Sequence, residues 1–197
     1  MGEPGHNPPY DGPIEDMFAY ALAKHVSDSV VIHPQFEVST RAGTFHIDFV
    51  LQRDSTLVGI ECDEQEFHDM DRDEWRDAII LRTGKLSAMY RFAGADLYDC
   101  IDPCLGLVAQ SERWAFSERG LLNLETLTRF DPHLVEDDGH DEVIFLGPVI
   151  ATRRRRTAFC SKVEPLWTRY AYFAEALPPR PLDDLIKAYE ALQPFEP

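Results

Sequence analysis

The sequence predicts an α/β fold: a mixed four-stranded sheet flanked by helices, with a C-terminal α/β extension packed on it. Three observations carry this. First, Gln35–Thr40, Phe45–Leu51 and Leu57–Asp63 read as strands separated by short turns at Arg41–Thr44 and Arg53–Thr56, the pattern of an antiparallel meander. Second, Met70–Thr83 places Trp75, Ala78, Ile79 and Arg82 at helical spacing and ends at Gly84, and Leu86–Phe92 then reads as a fourth strand. A strand reached through a helix is a parallel crossover. Third, amphipathic helices bracket this unit, one before it and one after it.

The elements follow in order. Residues 1–12 are rich in Gly and Pro without periodicity and are expected to form a flexible arm. Pro13 suits a first helical turn, and Ile14, Met17, Phe18, Ala21, Leu22 and His25 recur at helical spacing from about Ile14 to Val26. From Ala95 the chain reads as helical on both sides of an interruption at Pro103. Leu121, Leu122, Leu124 and Leu127 give a weaker helical pattern, Glu136–Glu142 an acidic loop, and Val143–Thr152 an apolar strand. Pro165 and Pro181 are each expected to open a helix, carried by Leu166, Trp167, Tyr170 and Phe173, and by Leu182, Leu185, Ile186 and Tyr189. The organisation is thus an arm at 1–12, a core at 13–110 and an extension at 111–197.

Composition bounds the function. The 197 residues are 44% hydrophobic, enough for a proper core, and no apolar run approaches the roughly 20 residues of a membrane-spanning helix. The N-terminus lacks a basic region followed by an apolar one, so no secretory signal is expected. Four cysteines without framework spacing suggest reduced thiols and a cytoplasmic setting. Cys62, inside a strand, is expected in the core, and Cys100 and Cys104 lack a second pair at zinc-site spacing. The net charge of −16 disfavours non-specific, high-affinity nucleic-acid binding and leaves an acidic surface on which a protein partner could dock. The exception is the basic run Arg153–Arg156, either a solvated strand end or a contact to phosphate.

Chemistry concentrates in one stretch. Between Glu61 and Asp77 there are nine Asp/Glu and two basic residues, Arg72 and Arg76. So many carboxylates at a strand end repel one another unless a cation sits among them. Alternation places Glu61 and Asp63 on one face of their strand, while Phe45, Ile47, Phe49 and Leu51 share one face of the preceding strand and His46, Asp48 and Val50 the other. Asp48 is a charge inside an otherwise apolar strand, which calls for a partner or a metal unless it reaches solvent at an edge. Neighbouring strands lie about 4.8 Å apart, so Asp48 and Glu61 can reach one hard cation. His68 is placed to orient or deprotonate water. Glu15, in the first turn of its helix, either compensates the helix dipole or joins this set.

This ordered set resembles the PD-(D/E)XK nuclease superfamily, and within it a bacterial branch related to very-short-patch mismatch-repair endonucleases. The resemblance rests on Glu15 in a helix, Asp48 in HIDF, Glu61-Cys62-Asp63 with His68, Asp73-Glu74-Trp75-Arg76, Gly84, Arg91-Phe92, and Asp102-Pro103-Cys104. It spans roughly residues 13–108. It departs at Glu64, where that branch has Gly, at Gln65, and in lacking the triplet's Lys. The resemblance implies a restriction-endonuclease-like core and Mg²⁺- or Mn²⁺-dependent hydrolysis of DNA. It assigns metal binding to Asp48, Glu61 and Asp63, catalytic support to Glu15 and His68, and phosphate contact to Arg76; outside its span, the basic run of Arg153, Arg154, Arg155 and Arg156 is the further candidate for phosphate contact. The departures leave a second expectation, an inactive nuclease-fold protein that binds nucleic acid or another protein.

Overall fold

The computed structural model describes residues 10, 12–63, 70–127, 157–161, 166–172, 175–176 and 180–192. The expected arm at 1–12 (apart from residues 10 and 12), the acidic loop, the strand at 143–152, His68 and Arg153–Arg156 lie outside them.

Helix α1 (Pro13–His25) starts with Pro in its first turn and carries Glu15 and Asp16 there, with Lys24 and His25 in its last turn. This charge order matches the helix dipole at both ends. Strands β1 (Val31–Thr40) and β2 (Gly43–Arg53) form a long antiparallel hairpin, and β2 pairs antiparallel with β3 (Thr56–Asp63). Helix α2 (Met70–Arg82) then crosses to β4 (Ala88–Ala93), which lies parallel to β3. The crossover predicted from sequence is present.

Helix α3 (Gly94–Ser111) runs as one helix with Pro103 inside it, not as two pieces. A proline inside a helix costs about 3 kcal/mol, and burial of Leu97, Cys104, Leu105 and Val108 along the same helix offsets that. Helix α4 (Glu118–Leu127) follows a short 3-10 turn.

The sheet does not stop at four strands. β5 (Thr157–Ser161) adds antiparallel to β4, and β6 (Leu166–Tyr172) adds antiparallel to β5. The short β7 (Glu175–Ala176) and β8 (Arg180–Pro181) both pair with β6, giving a sheet of eight strands among the described residues. The helix expected after Pro165 is therefore a strand. Its Trp, Thr and Tyr residues have high β propensity, and a partner strand overrides the helical spacing of four apolar residues. The helix expected after Pro181 is present as α5 (Leu182–Leu192).

Two cores lie on the two sheet faces. Phe18, Leu22, Phe49, Leu51, Ile60, Phe92 and Leu105 pack on the α1/α3/α4 side. Val38, Ile47, Val50, Ile80, Leu86, Met89 and Ile186 pack on the α2/α5 side. Phe45, Ile47, Phe49 and Leu51 consequently do not share a face: Phe45 and Ile47 belong to the second core, Phe49 and Leu51 to the first. In β1, likewise, Ile32 faces the first core while Phe36 and Val38 face the second. Strict alternation cannot produce this. The reversal falls at Gln35, where φ is +47° and where the β1–β2 ladder has no pair between Pro34↔Phe49 and Phe36↔Ile47.

Candidate functional site

That reversal builds the site. The β2–β3 ladder ends at Phe49↔Ile60, so Asp48 and Glu61 are the next residues in register, one on each strand. There the side chain of Asp48 takes over from the backbone: its Oδ2 accepts the Cys62 main-chain N–H at 2.7 Å. Gln35, opposite Asp48 on β1, donates its amide to Glu15 Oε2 at 3.1 Å and to Asp48 Oδ1 at 3.5 Å. A non-glycine residue at positive φ costs about 1–2 kcal/mol. Such strain persists only where its surroundings fix it, and here the amide ties α1 to β2.

The third carboxylate is Glu61, 3% exposed. Its Oε1 accepts Arg76 Nη2 at 2.8 Å, and the same nitrogen donates to the His46 carbonyl at 2.6 Å. Arg76 thus bridges the main chain of β2 to Glu61 across the end of the ladder. Its Nε is buried and has no hydrogen-bond partner among the described residues. Asp63 pairs with Arg91, which reaches across from β4 at 2.6 Å. Arg91 also grips Asp77 of α2 through Nε at 3.0 Å and Nη2 at 2.7 Å, a bidentate arrangement that only a guanidinium makes.

Burial raises the Asp48 carboxyl above its ordinary range, with the Cys62 N–H and Arg76 partly opposing it. Burial raises Glu61 well above its ordinary range against Arg91 and Arg76, and burial, with Asp48 and Glu61 beside it, pushes the Cys62 thiol well up. Cys62 packs in the first core, as expected. For both carboxyls the folded pKa exceeds the unfolded one. Their contribution to stability is therefore complete below the ordinary carboxylate range and lost as pH rises through the folded values. Asp48→Asn keeps an oxygen for the Cys62 N–H and removes this cost. Its urea midpoint is expected to exceed the parent's at pH 8 and to converge with it as pH falls to 4; equal midpoints across that range would contradict the burial argument.

Of the residues singled out from sequence, the structure gathers Glu15, Asp48, Glu61, Asp63 and Arg76 around the β2–β3 ladder end, while His68 and Arg153–Arg156 are not described. Sequence reasoning missed three others. Arg91 obeys the rule that singled out Asp48, a charge inside an apolar strand, but was read only as part of a motif. Asp77 was hidden among neighbouring acids. Gln35 gave no signal, because nothing in its local sequence announces a positive φ.

Among the described residues, no three His, Cys, Asp or Glu side chains converge closely enough to form a metal cage. The donor chemistry of Asp48 and Glu61 does fit a hard divalent cation. Both supply oxygen, and both are desolvated carboxyls whose ionised form an added positive charge would favour. No helix among the described residues is long and apolar enough to cross a membrane. No family model, no curated protein and no solved structure matches the chain.

Proposed function

We propose that the chain is a Mg²⁺- or Mn²⁺-dependent endonuclease of the PD-(D/E)XK type, on a restriction-endonuclease-like core, that hydrolyses phosphodiester bonds of DNA in the cytoplasm. The observation that supports it is the parting of β2 and β3 at Asp48 and Glu61, with Glu15 tied to Asp48 through Gln35. In this reading Asp48 and Glu61 hold the ion, with Asp63 and Glu15 completing or orienting the set. The ion supplies charge neutralisation and an acidified water. Arg76 steadies the scissile phosphate, His68 positions or deprotonates the water, and Arg153–Arg156 contact phosphates outside the centre.

One observation favours a second reading. Arg76 already neutralises Glu61 and Arg91 already neutralises Asp63, so the acids can be balanced without an added ion. This suits an inactive nuclease-fold protein that binds nucleic acid through its basic run or a protein through its acidic surface. Incubating the protein with single- and double-stranded DNA and Mg²⁺ or Mn²⁺ decides between them. The enzyme reading expects cleavage, reduced roughly a hundredfold or more in Asp48→Ala and Glu61→Ala. Absence of cleavage on every substrate, with no Mn²⁺ binding by calorimetry, would leave only the second reading.

A further inference from the structure

Arg76 is held by more than its hydrogen bonds. Its guanidinium lies over the Phe45 ring at 5.6 Å. Phe45 meets Trp75 edge-on, with centroids 6.3 Å apart at 87°, and Trp75 stacks on Tyr189 of α5 at 5.1 Å and 29°. Four side chains from β2, α2 and α5 thus form one unbroken line from the C-terminal helix to Glu61. Cation–π and aromatic pairs of this kind prefer particular orientations, so each ring restricts the next. Elsewhere α5 holds α2 unevenly. Leu182 and Ile186 are buried, but the Arg82–Asp183 pair to α2 and the Arg41–Glu190 pair to the β1–β2 turn are both exposed, and a cavity of about 650 Å³ opens beside Ile79, Thr83, Ile186 and Lys187.

We propose that Tyr189 is a positioning residue for Arg76, acting through Trp75 and Phe45, so that the C-terminal helix belongs to the machinery of the site. Arg76 makes its two acceptor contacts through one nitrogen and leaves Nε buried without a partner among the described residues. The hydrogen bonds therefore anchor one edge of the guanidinium, while the Nε side is held by packing, with Phe45 against its face. Phe45 in turn is set by Trp75, whose other ring contact is Tyr189. The consequence for catalysis rests on the function proposed above; the positioning itself does not.

The test reads Arg76 directly. The full chain, Tyr189→Phe, Tyr189→Ala and Phe45→Leu are treated with phenylglyoxal without metal or DNA, and modification of each arginine is followed by peptide mass spectrometry. Tyr189→Ala and Phe45→Leu are expected to speed modification of Arg76 roughly two- to tenfold, the worth of one aromatic pair. Tyr189→Phe should match the parent, and buried Arg91 should stay unreactive throughout. Should Tyr189→Ala fail to fold, Tyr189→Leu replaces it, keeping apolar bulk without a ring face. An unchanged Arg76 rate overturns the proposal, as does a parallel rise at Arg91, which would make α5 a support of the fold alone. In the cleavage assay Tyr189→Ala should lower kcat while Tyr189→Phe does not. A parent without cleavage would overturn the proposed function and leave the reactivity comparison standing.

Discussion

Replacing Arg91 by Met is expected to destabilise the protein by about 3–5 kcal/mol, the cost of removing one partner from a buried ion pair. Arg91 is 7% exposed and Asp77 2% exposed, so solvent cannot take over the charge that is left. The guanidinium also makes three hydrogen bonds at once, two to Asp77 and one to Asp63. Arg91→Lys keeps the charge but cannot form the fork, and it should recover only part of the loss. Arg91→Met combined with Asp77→Asn removes both charges and should be less destabilised than Arg91→Met alone. Urea unfolding of the four proteins measures this. A double variant as unstable as the single one would show that packing of the arginine stem and its bond to Asp63, not the unpaired Asp77, set the cost. The pair also has a structural purpose: it clamps α2 to β4 on the face where Glu61 and Asp63 emerge from β3.

Those carboxylates show what the sequence can and cannot convey. The meander, the crossover and α1 were legible because their apolar residues repeat at the period of the element that buries them. The acids of the site were legible for the opposite reason: a carboxylate inside an apolar strand violates the pattern, and Asp48 and Glu61 do so on consecutive strands. The face reversal was not legible, because it depends on a single backbone angle at Gln35. Reading Phe45 through Leu51 as one uninterrupted alternation puts on one face residues that belong to two cores. The strand at Leu166–Tyr172 was misread because two periods fit seven residues about equally, and only the partner strand β5 decides between them. Arg76 stood out in the sequence as one of two bases among nine acids, but its aromatic support comes from residues 45, 75 and 189, too far apart in sequence for spacing to reveal.

Gly120→Ala is expected to cost about 3 kcal/mol or more, although alanine is the better helix former by about 1 kcal/mol. A Cβ at this position would stand 2.0 Å from the His25 carbonyl oxygen and 2.8 Å from its carbon. These are backbone atoms at the end of α1 and cannot turn aside. The same carbonyl accepts the Ser117 N–H at 3.0 Å and the Ser117 hydroxyl at 3.2 Å. That hydroxyl oxygen in turn accepts the Gly120 N–H at 2.9 Å, capping α4. Alanine must therefore push α4 away from α1 and break the bonds that join them, a loss at the upper end of the usual overpacking range. Ser117→Ala, which removes the cap and the hydroxyl's bond to His25 but adds no clash, should cost about 1 kcal/mol. His25 also binds Asp102 of α3 through Nε2 at 3.1 Å, so three helices meet at this residue. Glu15 sits at the opposite end of the same α1. If α1 is a rigid carrier of Glu15, Gly120→Ala should lower cleavage at temperatures where most molecules remain folded, whereas Ser117→Ala should not. Equal activity per folded molecule in both variants would show that the hold of Gln35 on Glu15 alone is enough to keep the carboxylate in place.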